Sequence, residues 1–324
     1  MSAHPRDLPL AEARELVQRA VDKAEQLGLR GGVAVVGASG ALITASRLDH
    51  GGPGGMARAR SKAWIAATQQ ITSTEHLHRM TTLPAPISAG FVGVSPEAMF
   101  PGAGGIPVRD KDGVVVAGVA ASGATVSPFL PEGVAPEAVS AAGEPANPED
   151  LLIAYALDIA YVGQHGDDAA RWRQRFGDLV VAPESSLGMR PAPPAAAQYE
   201  LAWAKDLCDR VLAGARRRGL RISVAVVDRG GDPIQQDRME DAPAGGVDIA
   251  LGVAAAAARF GVPSERLTEW YGGAITGLNP VRVLGVAGGL PLADGDRLVA
   301  GLGVGGADPA ECRALAQAVT AATP

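Results

Sequence analysis

The stretch Leu29-Arg-Gly-Gly-Val-Ala-Val-Val-Gly-Ala-Ser-Gly-Ala-Leu-Ile43 decides the fold, because the chain contains it twice. The second version reads Leu220-Arg-Ile-Ser-Val-Ala-Val-Val-Asp-Arg-Gly-Gly-Asp-Pro-Ile234. Each version leads into an arginine, and Arg238 lies 191 positions after Arg47, the same offset that relates the two stretches. A register that holds across a helix end, a strand, a turn and a second strand indicates an internal duplication.

Later segments of the chain repeat as well. Gly104-Gly-Ile-Pro107 recurs 184 positions further on as Gly288-Gly-Leu-Pro291, so the second copy is shorter in between. Each copy then has an Asx-Pro pair that is typical of a helix start, with an N-cap followed by proline. The predicted organisation is a first domain at 1–166 with an insertion at about 125–146, a linker at 167–197, and a second domain at 198–324.

Hydrophobic periodicity gives each copy the order α-β-β-α-β-β-β-α, which favours an antiparallel sheet with helices packed on it. The fold class is therefore α/β of the α+β kind, with two tandem copies of a five-stranded antiparallel sheet flanked by helices. The short connection between the first two strands of each copy predicts a hairpin. In the first copy we expect helices at about 9–27 and 55–70 and strands at 32–37, 41–47, 90–95, 106–109 and 114–121.

Composition excludes several classes of partner. The net charge is −6, the basic residues are scattered, and aromatic residues make up 4% of the chain, so nucleic acid is not an expected partner. No apolar run is long enough to cross a bilayer, and the first residues lack the apolar core of a signal peptide. Cys208 and Cys312 form no CxxC pair. These features predict a cytoplasmic protein with no membrane partner and no metal site.

The order of these motifs resembles the GlcG/HbpS-like domain, which is related to the C-terminal part of PduO-type proteins. The motifs that carry the resemblance are Val226-Val227-Asp228, Arg47-Leu48-Asp49, Lys62-Ala63, Gly104–Pro107 and Ser122-Gly123-Ala124. The resemblance implies a five-stranded antiparallel sheet and self-association. It also implies binding of haem or another tetrapyrrole, or a link to the metabolism of small organic acids.

The two copies differ at positions that matter to this resemblance. The first copy has Gly37 where the second has Asp228, and Val253 stands opposite Lys62. At the closing helix, the first copy offers Asp150 and the second has Cys312. Each copy therefore lacks a polar group that the other keeps, and the first copy is the better candidate for a working pocket.

Lys62 lies on a predicted helix face of small residues, so its ammonium could point into a pocket, bind an anion, act as a base or form an imine. The alternative is a lysine that extends to water along alanine side chains. Asp49 and Asp150 are the other catalytic candidates. Arg47 and Arg238 could each grip a carboxylate, or form structural ion pairs with Asp49 and Asp241 in the same turn.

The remaining candidates are glycine loops and histidines. The loops could cradle an anion with backbone N–H groups, or could simply be tight turns. His50, His76 and His78 are candidate axial ligands for haem iron, or surface histidines. The predicted ligand-binding residues are Arg47, His50, Gly104, Gly105, Pro107, Asp228, Arg238, Asp241, Gly288 and Gly289.

These features predict a protein that binds a small molecule, with haem or another tetrapyrrole as the first choice and the pocket mainly in the first domain. The alternative is a cofactor-independent isomerase, cyclase or lyase for a small carbonyl or carboxylate compound. It would use Lys62, Arg47, Asp49 and Asp150. A scaffold without chemistry, in which the tandem copies mimic a homodimer, is a third hypothesis.

Overall fold

The computed structural model describes residues 7–26, 29–49, 51–123, 148–159, 201–272 and 283–320. The chain divides into two compact units. The first unit comprises Met1–Asp7, Glu15–Gly40 and Leu48–Gln198, and the second comprises Leu8–Arg14, Ala41–Arg47 and Tyr199–Pro324. Two short segments of the first copy thus belong to the second unit. The predicted insertion and linker lie outside the described residues, and the predicted domain boundaries stay a prediction.

The helices and strands follow the predicted order closely at the start of each copy. The first copy contains α1 (Leu10–Gln26), β1 (Gly32–Gly37), β2 (Leu42–Arg47), α2 (Pro53–Gln69), α3 (Ser73–Thr82), α4 (Ala85–Gly93), β3 (Gly105–Arg109), β4 (Val115–Ser122) and α5 (Pro148–Leu157). The second contains α6 (Leu201–Arg217), β5 (Ser223–Asp228), β6 (Pro233–Arg238), α7 (Gly246–Phe260), α8 (Glu265–Tyr271), β7 (Gly289–Asp294), β8 (Arg297–Gly305) and α9 (Pro309–Thr320).

The first unit contains an antiparallel sheet in the order β3-β4-β1. All six residues of β1 are buried, so its sequence is a continuous run of small and β-branched residues rather than an alternating one. Helix α2 lies close to β4: a Cβ added to Gly118 would be 2.2 Å from the Ala63 carbonyl oxygen. Glycine at this position allows the close approach of helix to sheet.

The second unit contains an antiparallel sheet in the order β2-β6-β5-β8-β7. The pairing of β5 with β6 confirms the hairpin predicted for the second copy. Strand β2 comes from the first copy, and its residues Thr44 and Ser46 lie opposite Asp237 and Gln235 of β6. The Ala-rich helix α7 packs on β8 and is buried along most of its length.

The fold class is confirmed as α+β with antiparallel sheets, but the strand predicted at 90–95 is wrong. That segment lies in and just after α4, a helix with proline in its first turn. Proline fixes φ near the helical value and lacks only an N–H that the first turn does not use, so it favours a helix start. In the described residues each copy therefore contributes four strands rather than five.

Among the described helices, none is by itself both long and apolar enough to span a membrane. Helices α7 and α8 reach that length and composition only as a pair, and the pair is bent by 66°.

Candidate functional site

Lys62 is buried in the first unit, with 3% of its side chain exposed. Its Nζ lies 2.5 Å from Glu149 Oε2 and donates to Ser122 Oγ at 3.1 Å. The ammonium therefore does not extend into solvent along the alanine side chains, which was the alternative interpretation of this lysine. We call Lys62, Ser122, Glu149 and Asp150 the Lys62 cluster.

The two acids of this cluster occupy the first turn of α5, where carboxylates also interact favourably with the helix dipole. Glu149 Oε1 accepts a hydrogen bond from the Gly123 amide at 2.7 Å, and Asp150 Oδ1 accepts one from the Gly104 amide at 2.6 Å. The start of α5 is thereby tied to the end of β4 and to the glycine loop before β3. The carboxyl groups of this cluster therefore have two functions: Glu149 balances the charge of Lys62, and both acids hold backbone amides of neighbouring loops in place.

Burial raises the pKa of Asp150 to about 6. The hydrogen bond from the Gly104 amide opposes this rise, the charge of Glu149 adds to it, and the charge of Lys62 again opposes it.

Among the described residues there is no group of three or more His, Cys, Asp or Glu side chains that could hold a metal ion.

The raised pKa of Asp150 predicts a pH dependence of stability. The folded protein keeps the proton up to about pH 6, whereas the unfolded chain releases it near pH 3.8. The stability contributed by this group is therefore fully present below about pH 4 and is lost as the pH rises through 6, with a slope of up to about 1.4 kcal/mol per pH unit.

We expect Asp150→Asn to remove this contribution while keeping an oxygen that accepts from Gly104. Urea unfolding of wild type and variant between pH 4 and 7 measures it. The wild type should lose stability relative to the variant as the pH rises, and parallel curves would contradict the assignment.

The glycine loops have the same construction in both copies. The Gly105 amide donates to Ser73 Oγ at 2.9 Å, and the Gly289 amide donates to Ser264 Oγ at 2.9 Å. Each serine in turn donates to a carbonyl just before its loop, that of Gly102 or Val286. The amides of Gly104, Gly105 and Gly289 are hydrogen-bonded within the protein, which favours an architectural role for these three glycines over an anion cradle. Gly288, at φ +132°, stays a predicted ligand-binding residue. Pro107 lies in β3 opposite Gly118.

The predicted arginine sites are also engaged by the protein. In the second unit, Arg47 Nη2 lies 2.7 Å from Asp228 Oδ2, so Arg47 forms an ion pair with Asp228, a partner that the sequence did not predict. Arg238 is buried and donates to the carbonyl oxygens of Leu42 and Ala242, and its ion pair with Asp241 stays a prediction. Asp49 is half-buried and Asp241 is exposed.

The histidine candidates differ in environment. His76 of α3 is 4% exposed, and its ring centroid lies 5.8 Å from that of Phe91 in α4. Burial lowers the pKa of His76, and Arg79 lowers it further, so the imidazole is neutral at pH 7. His78 is half-buried. His50 lies outside the described residues.

Helix α4 and the loops beside it expose a set of large apolar side chains. No residue of α4 is buried. The Phe100 ring at the edge of this surface has two cations over it, Arg58 Cζ at 5.9 Å and Lys62 Nζ at 5.7 Å from the centroid. We call this surface the α4 patch; its members, between 38% and 82% exposed, are Leu83, Ile87, Phe91, Val92, Val94 and Phe100.

The equivalent region of the second copy is apolar where the first is charged. Val253 and Cys312 are both buried, and Cys312 Cβ lies beside Gly288 in the same way that Glu149 Cβ lies beside Gly104. Val253 thus takes the place of Lys62, as predicted, but Cys312 takes the place of Glu149 and not that of Asp150. The structure also identifies Glu149 as the missed partner of Lys62, signalled in the sequence only by its place in the first turn of a helix.

The family model described as haem degrading protein HbpS-like matches residues 8–128 and 200–321. Among solved structures, Klebsiella pneumoniae protein ORFY is 25% identical and is matched over 38% of this chain and 91% of its own, with a TM-score of 0.36.

Two further solved structures match a similar share of the chain. A double mutant of Streptomyces reticuli HbpS is 30% identical over 38% of this chain and 86% of its own, with a TM-score of 0.36. A PduOC–haem complex is 24% identical over 37% of this chain and 90% of its own, with a TM-score of 0.35. Comparison with curated proteins gives no match.

Proposed function

The chain belongs to the HbpS-like family of haem degrading proteins, and from that premise we propose that it binds haem or another tetrapyrrole through its first copy. The observation that carries the proposal is the α4 patch with the buried His76 beside it. A tetrapyrrole is a large, flat, apolar ring, and an exposed apolar surface of several aromatic and aliphatic side chains is a binding surface for such a ligand.

The residues around the patch fit the chemistry of haem. A neutral imidazole is the form of histidine that binds iron, and burial keeps His76 in that form. Arg58 lies over the Phe100 ring, and among the described residues it has no carboxylate partner. His76 would therefore hold the iron, Arg58 would face a propionate, and the α4 side chains would cover the ring. When bound, the iron would supply redox chemistry.

Haemin titration of the purified full chain, followed in the Soret region, tests this proposal. We expect a saturable shift and a haemin affinity that falls at least about tenfold in His76→Ala, which corresponds to about 1.4 kcal/mol, because the iron loses a protein ligand. His78→Ala is the matched control, since a residue two positions along a helix points to a different face. Ile87→Asp should also weaken binding by placing a charge in the patch.

The absence of a saturable Soret shift in the wild type would overturn the proposal. A shift that is unchanged in His76→Ala would overturn the role of this histidine as the iron ligand, and His50→Ala and His78→Ala would then test the two remaining candidates.

An enzyme that acts on a small carbonyl or carboxylate compound is the second candidate. It is favoured by the buried Lys62 cluster, in which an ammonium and two carboxylates meet. Arg47 is paired with Asp228, so the acid–base groups of this proposal are Lys62, Glu149 and Asp150, and Asp49 stays a predicted member of the site. Turnover that survives Lys62→Ala would count against it.

Self-association stays a prediction, which native mass spectrometry of the full chain tests.

A further inference from the structure

The turn between β5 and β6 in the second copy is closed by a carboxylate. Asp228 Oδ1 accepts hydrogen bonds from the amides of Gly230 at 2.8 Å and Asp232 at 3.1 Å. The backbone of the turn is completed by a bond from the Gly231 amide to the Asp228 carbonyl at 2.9 Å, with Gly231 at φ +84°. An aspartate that caps its own turn in this way is common in loops.

The turn after β1 in the first copy has the same backbone but no aspartate on the strand. The Gly40 amide donates to the Gly37 carbonyl at 2.9 Å, and Gly40 has φ +83°. These residues lie 191 positions before Gly231 and Asp228. The glycine at position 37 therefore leaves the turn without a carboxylate of its own.

A residue from another part of the chain occupies the missing position. Asp7, which precedes α1, accepts from the Ser39 amide through Oδ1 at 3.0 Å and from the Ser39 hydroxyl through Oδ2 at 2.8 Å. A Cβ added to Gly37 would lie 2.3 Å from Asp7 Cγ. The carboxyl group of Asp7 thus fills the space that an aspartate side chain at position 37 would need.

We infer that Asp7 is a positioning residue that supplies, from the segment before α1, the carboxylate that closes the first copy's turn. Ser39 is the position equivalent to Gly230, and its amide makes the same bond to Asp7 that the Gly230 amide makes to Asp228. Each copy has an aspartate at only one of the two equivalent positions. The first copy has Asp7 and Gly37, and the second has Gln198 and Asp228. Position 37 is a glycine because the relocated carboxylate excludes any side chain there.

A double-mutant cycle with amide hydrogen exchange at Ser39 tests this inference. Asp7→Ala should accelerate Ser39 exchange about tenfold, the effect of losing one hydrogen bond to a charged acceptor. Adding Gly37→Asp to Asp7→Ala should restore the protection, whereas Gly37→Asp in the wild type should give no gain, because the two carboxyl groups compete for one space. The effect of Gly37→Asp thus depends on whether Asp7 is present.

Matched controls separate a carboxylate effect from a general loss of packing. Gly37→Ala adds the same Cβ without a carboxylate, so it should accelerate Ser39 exchange in the wild type and should not rescue Asp7→Ala. Asp7→Asn keeps an acceptor oxygen and should retain most of the protection. Exchange at Gly230 in the same molecule is the internal reference and should not change in any variant.

Two results would overturn the inference. One is unchanged Ser39 exchange in Asp7→Ala. The other is equal rescue of Asp7→Ala by Gly37→Asp and Gly37→Ala, which would show that the carboxylate is not what closes the turn. Haemin binding is measured in parallel. Asp7 lies in neither the α4 patch nor the Lys62 cluster, so a failure of the protein to bind haemin would not affect the hydrogen-exchange result.

Discussion

Lys62→Met should lower the free energy of unfolding of the first unit by about 3–5 kcal/mol, the usual cost of removing one partner from a buried ion pair. The side chains of Lys62 and Glu149 are 3% and 8% exposed, so water cannot replace the ammonium once it is removed. Methionine keeps the length of the lysine stem, which limits the effect of a cavity. Urea unfolding followed by circular dichroism measures the loss.

The control for this prediction removes both charges. Lys62→Met with Glu149→Gln keeps an acceptor for the Gly123 amide, and it should recover more than half of the loss, because two neutral groups pack without a buried charge. The second copy already has an apolar version of this site, with Val253 and Cys312 buried. A single variant within about 1 kcal/mol of the wild type would show that the cluster contributes little.

Arg14→Met is expected to destabilise the second unit by a similar amount, about 3–5 kcal/mol. The side chain of Asp237 is 0% exposed, and Arg14 binds it in two-point fashion, Nε to Oδ1 and Nη2 to Oδ2, both at 3.0 Å. Burial is the largest single influence and lowers the pKa of the Arg14 guanidinium, but the charges and hydrogen bonds of Asp237 and Asp209 together outweigh it, so the pKa is raised. Without Arg14, the buried carboxylate of Asp237 keeps neutral hydrogen-bond donors such as Thr44 but loses the positive charge that Arg14 supplies.

Two comparisons make this second result interpretable. Arg14→Lys should lose part of the stability, because an ammonium cannot make the two-point contact. Arg79→Ala removes an exposed pair with Glu75 within one helix and should change stability by less than about 0.5 kcal/mol. Equal effects of Arg14→Met and Arg79→Ala would mean that the buried position of Asp237 has no energetic consequence.

The parts of the fold that were predicted from sequence are those set by local pattern and repetition. Strand β1 and the helices α1 and α2 were placed within a few residues, because each is an apolar segment that the repeat marks a second time. The small residues around Lys62 on α2 suggested a buried ammonium, but the sequence alone left a solvent-exposed lysine equally open. In contrast, α4 was mistaken for a strand, since a short apolar segment has the same composition in either structure.

The parts of the site that were missed depend on contacts between distant residues. Glu149 meets Lys62 across 87 positions, and Asp7 meets Ser39 across 32. No local pattern contains such a pairing. One pairing could have been found by applying the repeat offset further: Ser73 and Ser264 are 191 positions apart and hold their glycine loops in the same way.

The placement of β2 has a consequence for the timing of synthesis. Thr44 of β2 bonds to Asp237 of β6, a separation of 193 residues. At about 5–20 residues per second, β2 leaves the ribosome roughly 10–40 seconds before the strand that covers it. During that interval the side chains of β2 that are buried in the folded protein are uncovered and its hydrogen-bonding edge is open, which favours aggregation. Slowing translation between the two copies should therefore reduce the yield of correctly folded protein, and chaperones that hold exposed strands should restore it.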